Sequence, residues 1–125
     1  MLIYKRKEFL FKINSMEIKY TKSYDRTYKK IKKHTSEAEI LERIKQLIEN
    51  TENFEKLVNN PLAKMYGFER LKYEFNEYYS FNLSKNGSVI RLIIFPKNEY
   101  QIYMIFISYK HYKDFNKERV IFYDE

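Results

Sequence analysis

The chain has no cysteine and no tryptophan, only two glycines, two prolines and two histidines, and a shortage of acid against base. Without cysteine there is no disulfide framework and no thiol nucleophile, which fits a reducing cytoplasm. Gly67 and Gly87 stand alone, so no glycine-rich loop can cradle a nucleotide's phosphates, and motor or kinase activities are excluded. His34 and His111 are the only histidines and the acidic residues show no ligand spacing among themselves, so the sequence offers no metal site and implies no cofactor. No apolar run reaches the roughly 18 residues of a membrane helix. The segment Met1 to Asn14 is interrupted by Lys5, Arg6, Lys7, Glu8 and Lys12, leaving no continuous signal-peptide core. The expected location is the cytoplasm, with no membrane partner.

What is present is base and aromatic surface. The 125 residues, a length typical of one domain, carry 24 lysines and arginines against 17 acids, a net charge of +7. That balance attracts polyanions, RNA or an acidic protein alike. Thirteen tyrosines and ten phenylalanines mostly serve strands and core. Exposed tyrosines beside basic residues would instead be platforms for unpaired bases.

Periodicity divides the chain in two. Met16 opens the alternating segment Met16-Glu17-Ile18-Lys19-Tyr20, a half-buried strand. Residues 1–15 precede it as an N-terminal extension or an extra edge strand, with Asn14-Ser15 as a plausible hairpin turn, and residues 16–125 form the domain. Tyr24 to Lys33 reads as a helix with Tyr24, Tyr28 and Ile31 on one face. Ser36-Glu37-Ala38-Glu39 is a capping box for a second helix, whose stripe is Ile40, Leu41, Ile44, Leu47 and Ile48. Phe54 to Val58 adds a short turn that Asn60-Pro61 ends.

Beyond Gly67 the period becomes that of strands. Tyr79 to Leu83 alternates, Lys85-Asn86-Gly87-Ser88 is a hairpin turn, and Val89 to Phe95 and Ile102 to Ile107 are apolar enough to be central strands covered on both faces. Pro96 to Glu99 connects the last two. Lys113 to Arg119 is a candidate C-terminal helix, followed by an extended Val120 to Tyr123. The expected fold is α+β: two N-terminal helices packed on an antiparallel sheet of about four strands.

Four polar residues flank these strands: Glu69, Arg91, His111 and Tyr112. Adjacent antiparallel strands can bring a carboxylate, a guanidinium, an imidazole and a phenol onto one face. Metal-independent RNA cleavage needs a base for the 2′-hydroxyl, an acid for the departing 5′-oxygen and positive charge for the phosphorane-like transition state. Glu69, His111 and Arg91 match those needs in that order. A solvated loop carboxylate, a surface histidine and an edge charge are the plainer roles for the same three.

The motifs Phe68-Glu69-Arg70-Leu71-Lys72, Tyr78-Tyr79-Ser80, Arg91-Leu92 and Ser108-Tyr109-Lys110-His111-Tyr112 follow one another in an order that resembles the RelE/ParE toxin superfamily, closest to its YoeB-like branch. There a Pro-Glu-x-Leu-Lys motif precedes Gly-Tyr-Trp-Ser, an Arg-Leu strand and a terminal His-Tyr pair. The resemblance spans residues 16 to 115 and implies a RelE-like fold and a ribosome-dependent mRNA endonuclease, held inactive by a cognate antitoxin. It also implies catalytic roles for Glu69, Arg91 and His111, with Tyr112 contributing nearby.

This chain departs from the branch in two places. Its hairpin around Asn86-Gly87 is longer, and a one-residue slip there would turn Arg91 to the other face. Thirteen residues follow Tyr112, where that branch usually ends. A related YafQ-like branch carries a histidine with a phenylalanine four residues later. His111 and Phe115 share that spacing, which implies a base-contacting role for Phe115. Lys22, Arg26, Lys29, Lys30, Lys32 and Lys33 on the first helix, with Lys72 beside Glu69, are candidates for RNA phosphates. Two other readings stay open: a ParE-like gyrase inhibitor that performs no RNA chemistry, and a basic domain that only binds nucleic acid.

Overall fold

A computed structural model describes residues 15–84 and 87–123. The expectations for residues 1–14 and for the Lys85-Asn86 turn lie outside the described residues. The described chain opens with strand β1 (Glu17–Tyr20), helix α1 (Lys22–Tyr28), a 3-10 turn (Lys29–Lys33) and helix α2 (Thr35–Glu49). Two short helices follow, α3 (Phe54–Val58) and α4 (Pro61–Met65), and then strands β2 (Glu69–Arg70), β3 (Tyr79–Asn82), β4 (Arg91–Asn98) and β5 (Gln101–Ser108).

The sheet order is β1-β5-β4-β3-β2. Among the described residues every pairing is antiparallel except β1 with β5, which is parallel, so the sheet there has one strand more than expected and one pair of the other sense. β4 and β5 are interior strands covered on both faces, as their unbroken apolar runs predict. Leu92, Ile94, Ile102, Met104 and Ile107 pack beneath the stripe Ile40, Leu41, Ile44 and Ile48 of α2. Ile93 and Ile105 face the other way, into a second cluster with Leu71 and Phe115. A bulge opposite Ile93 turns both Ile105 and Phe106 to that second face, which is why Met104 and Ile107, three apart, share the first.

β1 ends at Tyr20, and α1 takes over the edge of β5 from there. The Thr21 hydroxyl donates to the carbonyls of Met104 and Ile105 (3.1 and 2.8 Å) and accepts from the Tyr24 N–H, capping the helix. The Thr27 hydroxyl accepts from the Ile107 N–H at 2.9 Å. Backbone groups left without a strand partner are thus satisfied by two buried threonines, as burial requires.

Several sequence-based boundaries move. The Tyr24 to Lys33 helix is α-helical only to Tyr28 and tightens into the 3-10 turn. The Ser36 capping box is not used: α2 starts at Thr35, with His34 at the cap position and no side-chain cap bond. Asn60-Pro61 ends α3 and also starts α4, the Asn60 side chain accepting from the Leu62 N–H while Pro61 fills the first helical position. β4 runs through Pro96 to Asn98, leaving only Glu99 and Tyr100 as the connection. The C-terminal helix shrinks to a 3-10 turn at Lys117–Arg119, because Phe115 is drawn into the second cluster. The Ile121 carbonyl then accepts from the Lys22 and Ser23 N–H groups, strapping the tail to the start of α1.

Candidate active site

Three of the four polar residues converge on the fourth. Glu69 pairs across from Ser80, and Ser80 across from Ile93, so Glu69 and Ser80 point away from the helix layer as Ile93 does. Arg91, two residues before Ile93 on β4, shares that face by strand alternation. Its guanidinium is half-buried and held by the carbonyls of Ser88 (2.8 Å) and Ile90 (3.1 Å), which aims it before any ligand arrives. The longer hairpin has not turned Arg91 toward the core.

Tyr112 is the hub. Its phenol lies 2.7 Å from the Ser80 hydroxyl. Burial pushes that phenol above the ordinary tyrosine range, hydrogen bonds from Ser80 and Arg91 and the arginine's charge pull it back, and the Glu69 carboxylate adds to the rise. The His111 ring is exposed and sits 4.9 Å from the Tyr112 ring at 57°. His111 and Tyr112 both adopt left-handed backbone conformations, with φ of 51° and 73°. Residues other than glycine take that conformation at a cost, so two in succession mark a turn held by its surroundings.

Glu69 reaches the site through a glycine. Gly67 follows α4 with φ of 70°, and a Cβ there would lie 2.4 Å from the Asn82 side chain. Glycine lets the chain turn there without backbone strain and without displacing the Asn82 side chain as β2 comes against β3. Glu69, Arg70, Leu71, Lys72, Phe75 and Tyr112 line an open cavity of about 360 Å³. Beside it Tyr73 is 84% exposed and left-handed, with φ of 58°.

The remaining sequence candidates divide. Lys72 lines the cavity. Lys22, Arg26, Lys29, Lys30, Lys32 and Lys33 are all exposed. Lys30 lies over the Tyr109 ring (5.8 Å), and the Tyr109 hydroxyl donates to the Thr27 carbonyl (2.7 Å), so the basic turn adjoins the turn bearing His111. Phe115 is a correction: it is only 6% exposed, packed against Phe75, Tyr78 and Phe106 at about 5.5 Å, and serves as core instead of presenting its ring to a base. Sequence reasoning gave no role to Ser80, Ser108, Asp114 or Tyr73. Ser80 sat inside a quoted motif, whereas nothing local distinguishes Asp114 from any surface acid.

No family model matches the chain, and no curated protein does. Solved structures match over most of its length. YafQ from E. coli strain BL21(DE3) superposes with a TM-score of 0.53 at 15% identity, covering 76% of this chain and 93% of that one. The chain carries the fold of the RelE/ParE toxins. Within that fold, the E. coli DinJ-YafQ toxin-antitoxin complex gives 0.58 at 17% identity, covering 82% and 99%. A copper-bound mutant toxin from Helicobacter pylori gives 0.58 at 12%, covering 80% and 99%. The chain therefore spans nearly the whole of each neighbour and has about a fifth of its own length beyond them.

Proposed function

We propose that the protein is the toxin of a type II toxin–antitoxin pair and cleaves mRNA on the ribosome. The observation that carries this reading is that the Tyr112 phenol bonds Ser80 and lines one cavity with Glu69, beside the sheet face that carries Arg91, with the His111 ring alongside. In this scheme Glu69 takes the proton of the 2′-hydroxyl, and the 2′-oxygen attacks phosphorus. Arg91 stabilises charge on the non-bridging oxygens, and His111 protonates the 5′-oxygen as its bond to phosphorus breaks. The products are a 2′,3′-cyclic phosphate and a free 5′-hydroxyl, and no other reactant is required. Imidazole suits the acid because its ordinary pKa is near 6.5. Tyr112 donates to the phosphate as a neutral phenol.

Lys72 and the exposed Tyr73 supply a charge and a stacking face at the rim of the cavity. The basic turn supplies phosphate contacts. The partners in this reading are the ribosome with its mRNA and a cognate antitoxin, and the place of action is the cytoplasm.

The experiment is induced expression followed by mapping of mRNA ends. Wild type should arrest growth and leave cut mRNA, while His111→Ala, removing a general acid, should slow cleavage by about 10²–10⁴-fold. Growth arrest with intact mRNA would replace this reading with gyrase inhibition or with a basic domain that only binds nucleic acid, neither of which has a use for Glu69 and His111 as a catalytic pair.

A further inference from the structure

We propose that Asp114 is a positioning residue for the His111–Tyr112 pair, acting through Ser108; the role rests on the cleavage reading above. The two left-handed residues are held by a closed set of hydrogen bonds. Ser108 Oγ accepts from the Tyr112 N–H at 2.8 Å and donates to Asp114 Oδ1 at 2.5 Å. Asp114 Oδ2 accepts from the Tyr109 N–H at 2.9 Å. The Lys113 N–H closes onto the Lys110 carbonyl (3.2 Å) and the Phe115 N–H onto the Tyr112 carbonyl (3.1 Å), with the Phe115 ring sunk in the second cluster.

Ser108 is wholly buried and lies across from Arg91 in the sheet. One serine therefore couples the strand register that sets Arg91 to the turn that sets His111 and Tyr112.

The carboxylate matters because it can only accept. Its Oδ1 forces the Ser108 hydroxyl to donate toward it, which leaves the serine's lone pairs for the Tyr112 N–H. An asparagine at 114 has nearly the same shape and the wrong polarity on one side. Turned one way, its NH2 faces the Tyr109 N–H, donor against donor. Turned the other way, it consumes a lone pair of Ser108 and leaves the hydroxyl proton without its acceptor. Either way the turn loses a restraint while the core behind it is untouched.

The test uses the full-length protein on mRNA-programmed ribosomes. Asp114→Asn should lower the maximal cleavage rate by about ten- to a hundredfold, the scale expected when a reacting group is misplaced by about 1 Å. The protein concentration at half-maximal rate and the thermal midpoint should stay at their wild-type values. Hydrogen exchange at the Tyr112 amide should quicken in Asp114→Asn and in Ser108→Ala, a local readout that global stability does not move. An unchanged rate, or unchanged protection of that amide, would overturn the positioning role while leaving cleavage standing. Rate, affinity and thermal midpoint falling together would make Asp114 an ordinary structural residue. A wild type that cuts nothing would instead overturn the functional reading, and this role with it.

Discussion

Ser80 and Tyr112, 32 positions apart, meet at 2.7 Å between hydroxyl oxygens, and that contact joins β3 to the turn after β5. Ser80 is fully buried and its β-neighbours are Glu69 and Ile93, so it fixes the phenol against the row that also carries the glutamate.

Removing either hydroxyl should therefore be felt through the other. A double-mutant cycle of Ser80→Ala and Tyr112→Phe is expected to give a coupling of about 0.5–1.5 kcal/mol in stability, the usual net worth of a hydrogen bond. Each single variant should also slow cleavage, because the phenol loses an anchor or vanishes. Denaturant unfolding measures the coupling, and additive effects would show the two groups to be independent in solution.

Alkaline pH should weaken the fold through its buried phenols. Burial, then the nearby Asp114 carboxylate, pushes Tyr109 up to about 12. Burial also raises Tyr24, which is 2% exposed and has no hydrogen-bond partner for its hydroxyl among the described residues. These groups hold their protons more tightly folded than unfolded. Their contribution is thus fully present below the unfolded value near 10; that of Tyr109 is lost as pH rises through about 12, and that of Tyr24, held more tightly still, at higher pH. Absorbance titration of tyrosinate at 295 nm, beside thermal midpoints from neutral to high pH, checks both halves. Replacing Tyr109 by Phe should remove part of the pH dependence and, with it, the bond to the Thr27 carbonyl.

Two aromatic residues near the site should separate cleanly. Phe115→Ala empties a buried position and is expected to cost about 3–5 kcal/mol of stability. Tyr73→Ala, at an exposed position, should change stability by no more than about 0.5 kcal/mol. It should nonetheless weaken binding of single-stranded RNA by the roughly 1–3 kcal/mol of one stacked base. Equal RNA affinity in Tyr73→Ala would remove that ring from the interface.

The basic turn gives a salt signature. Replacing Lys29, Lys30, Lys32 and Lys33 with Gln should weaken ribosome binding and flatten its salt dependence. Each lost phosphate contact changes the log–log slope by roughly 0.7–0.9. All four are exposed and lie off the buried Tyr24 and Ile31, so circular dichroism should show the fold intact. An unchanged slope in co-sedimentation across a salt series would assign these lysines to a solvated face.

What the sequence by itself determined is what is encoded by local period and type. The stripe of α2 and the two doubly covered strands are visible as patterns a few residues long, because helices and strands repeat at 3.6 and 2 residues, and Glu69, Arg91, His111 and Tyr112 stand out as candidates by side-chain type and order alone. Only the tertiary structure decided how those pieces meet. The parallel pairing of β1 with β5 joins residues more than 80 positions apart, and no local pattern distinguishes it from an antiparallel edge. The face of Arg91 depended on a register set by pairing with Asn82 and Ser108. The bulge at Ile105 and Phe106, the threonines that satisfy the edge of β5, and the Ser108–Asp114 bonds that hold two left-handed residues are likewise long-range or conformational facts. Phe115 shows the same limit from the other side. Its spacing from His111 belongs to the sequence, but whether its ring faces RNA or the core depends on the second sheet face it covers, which exists only once β4 and β5 have paired.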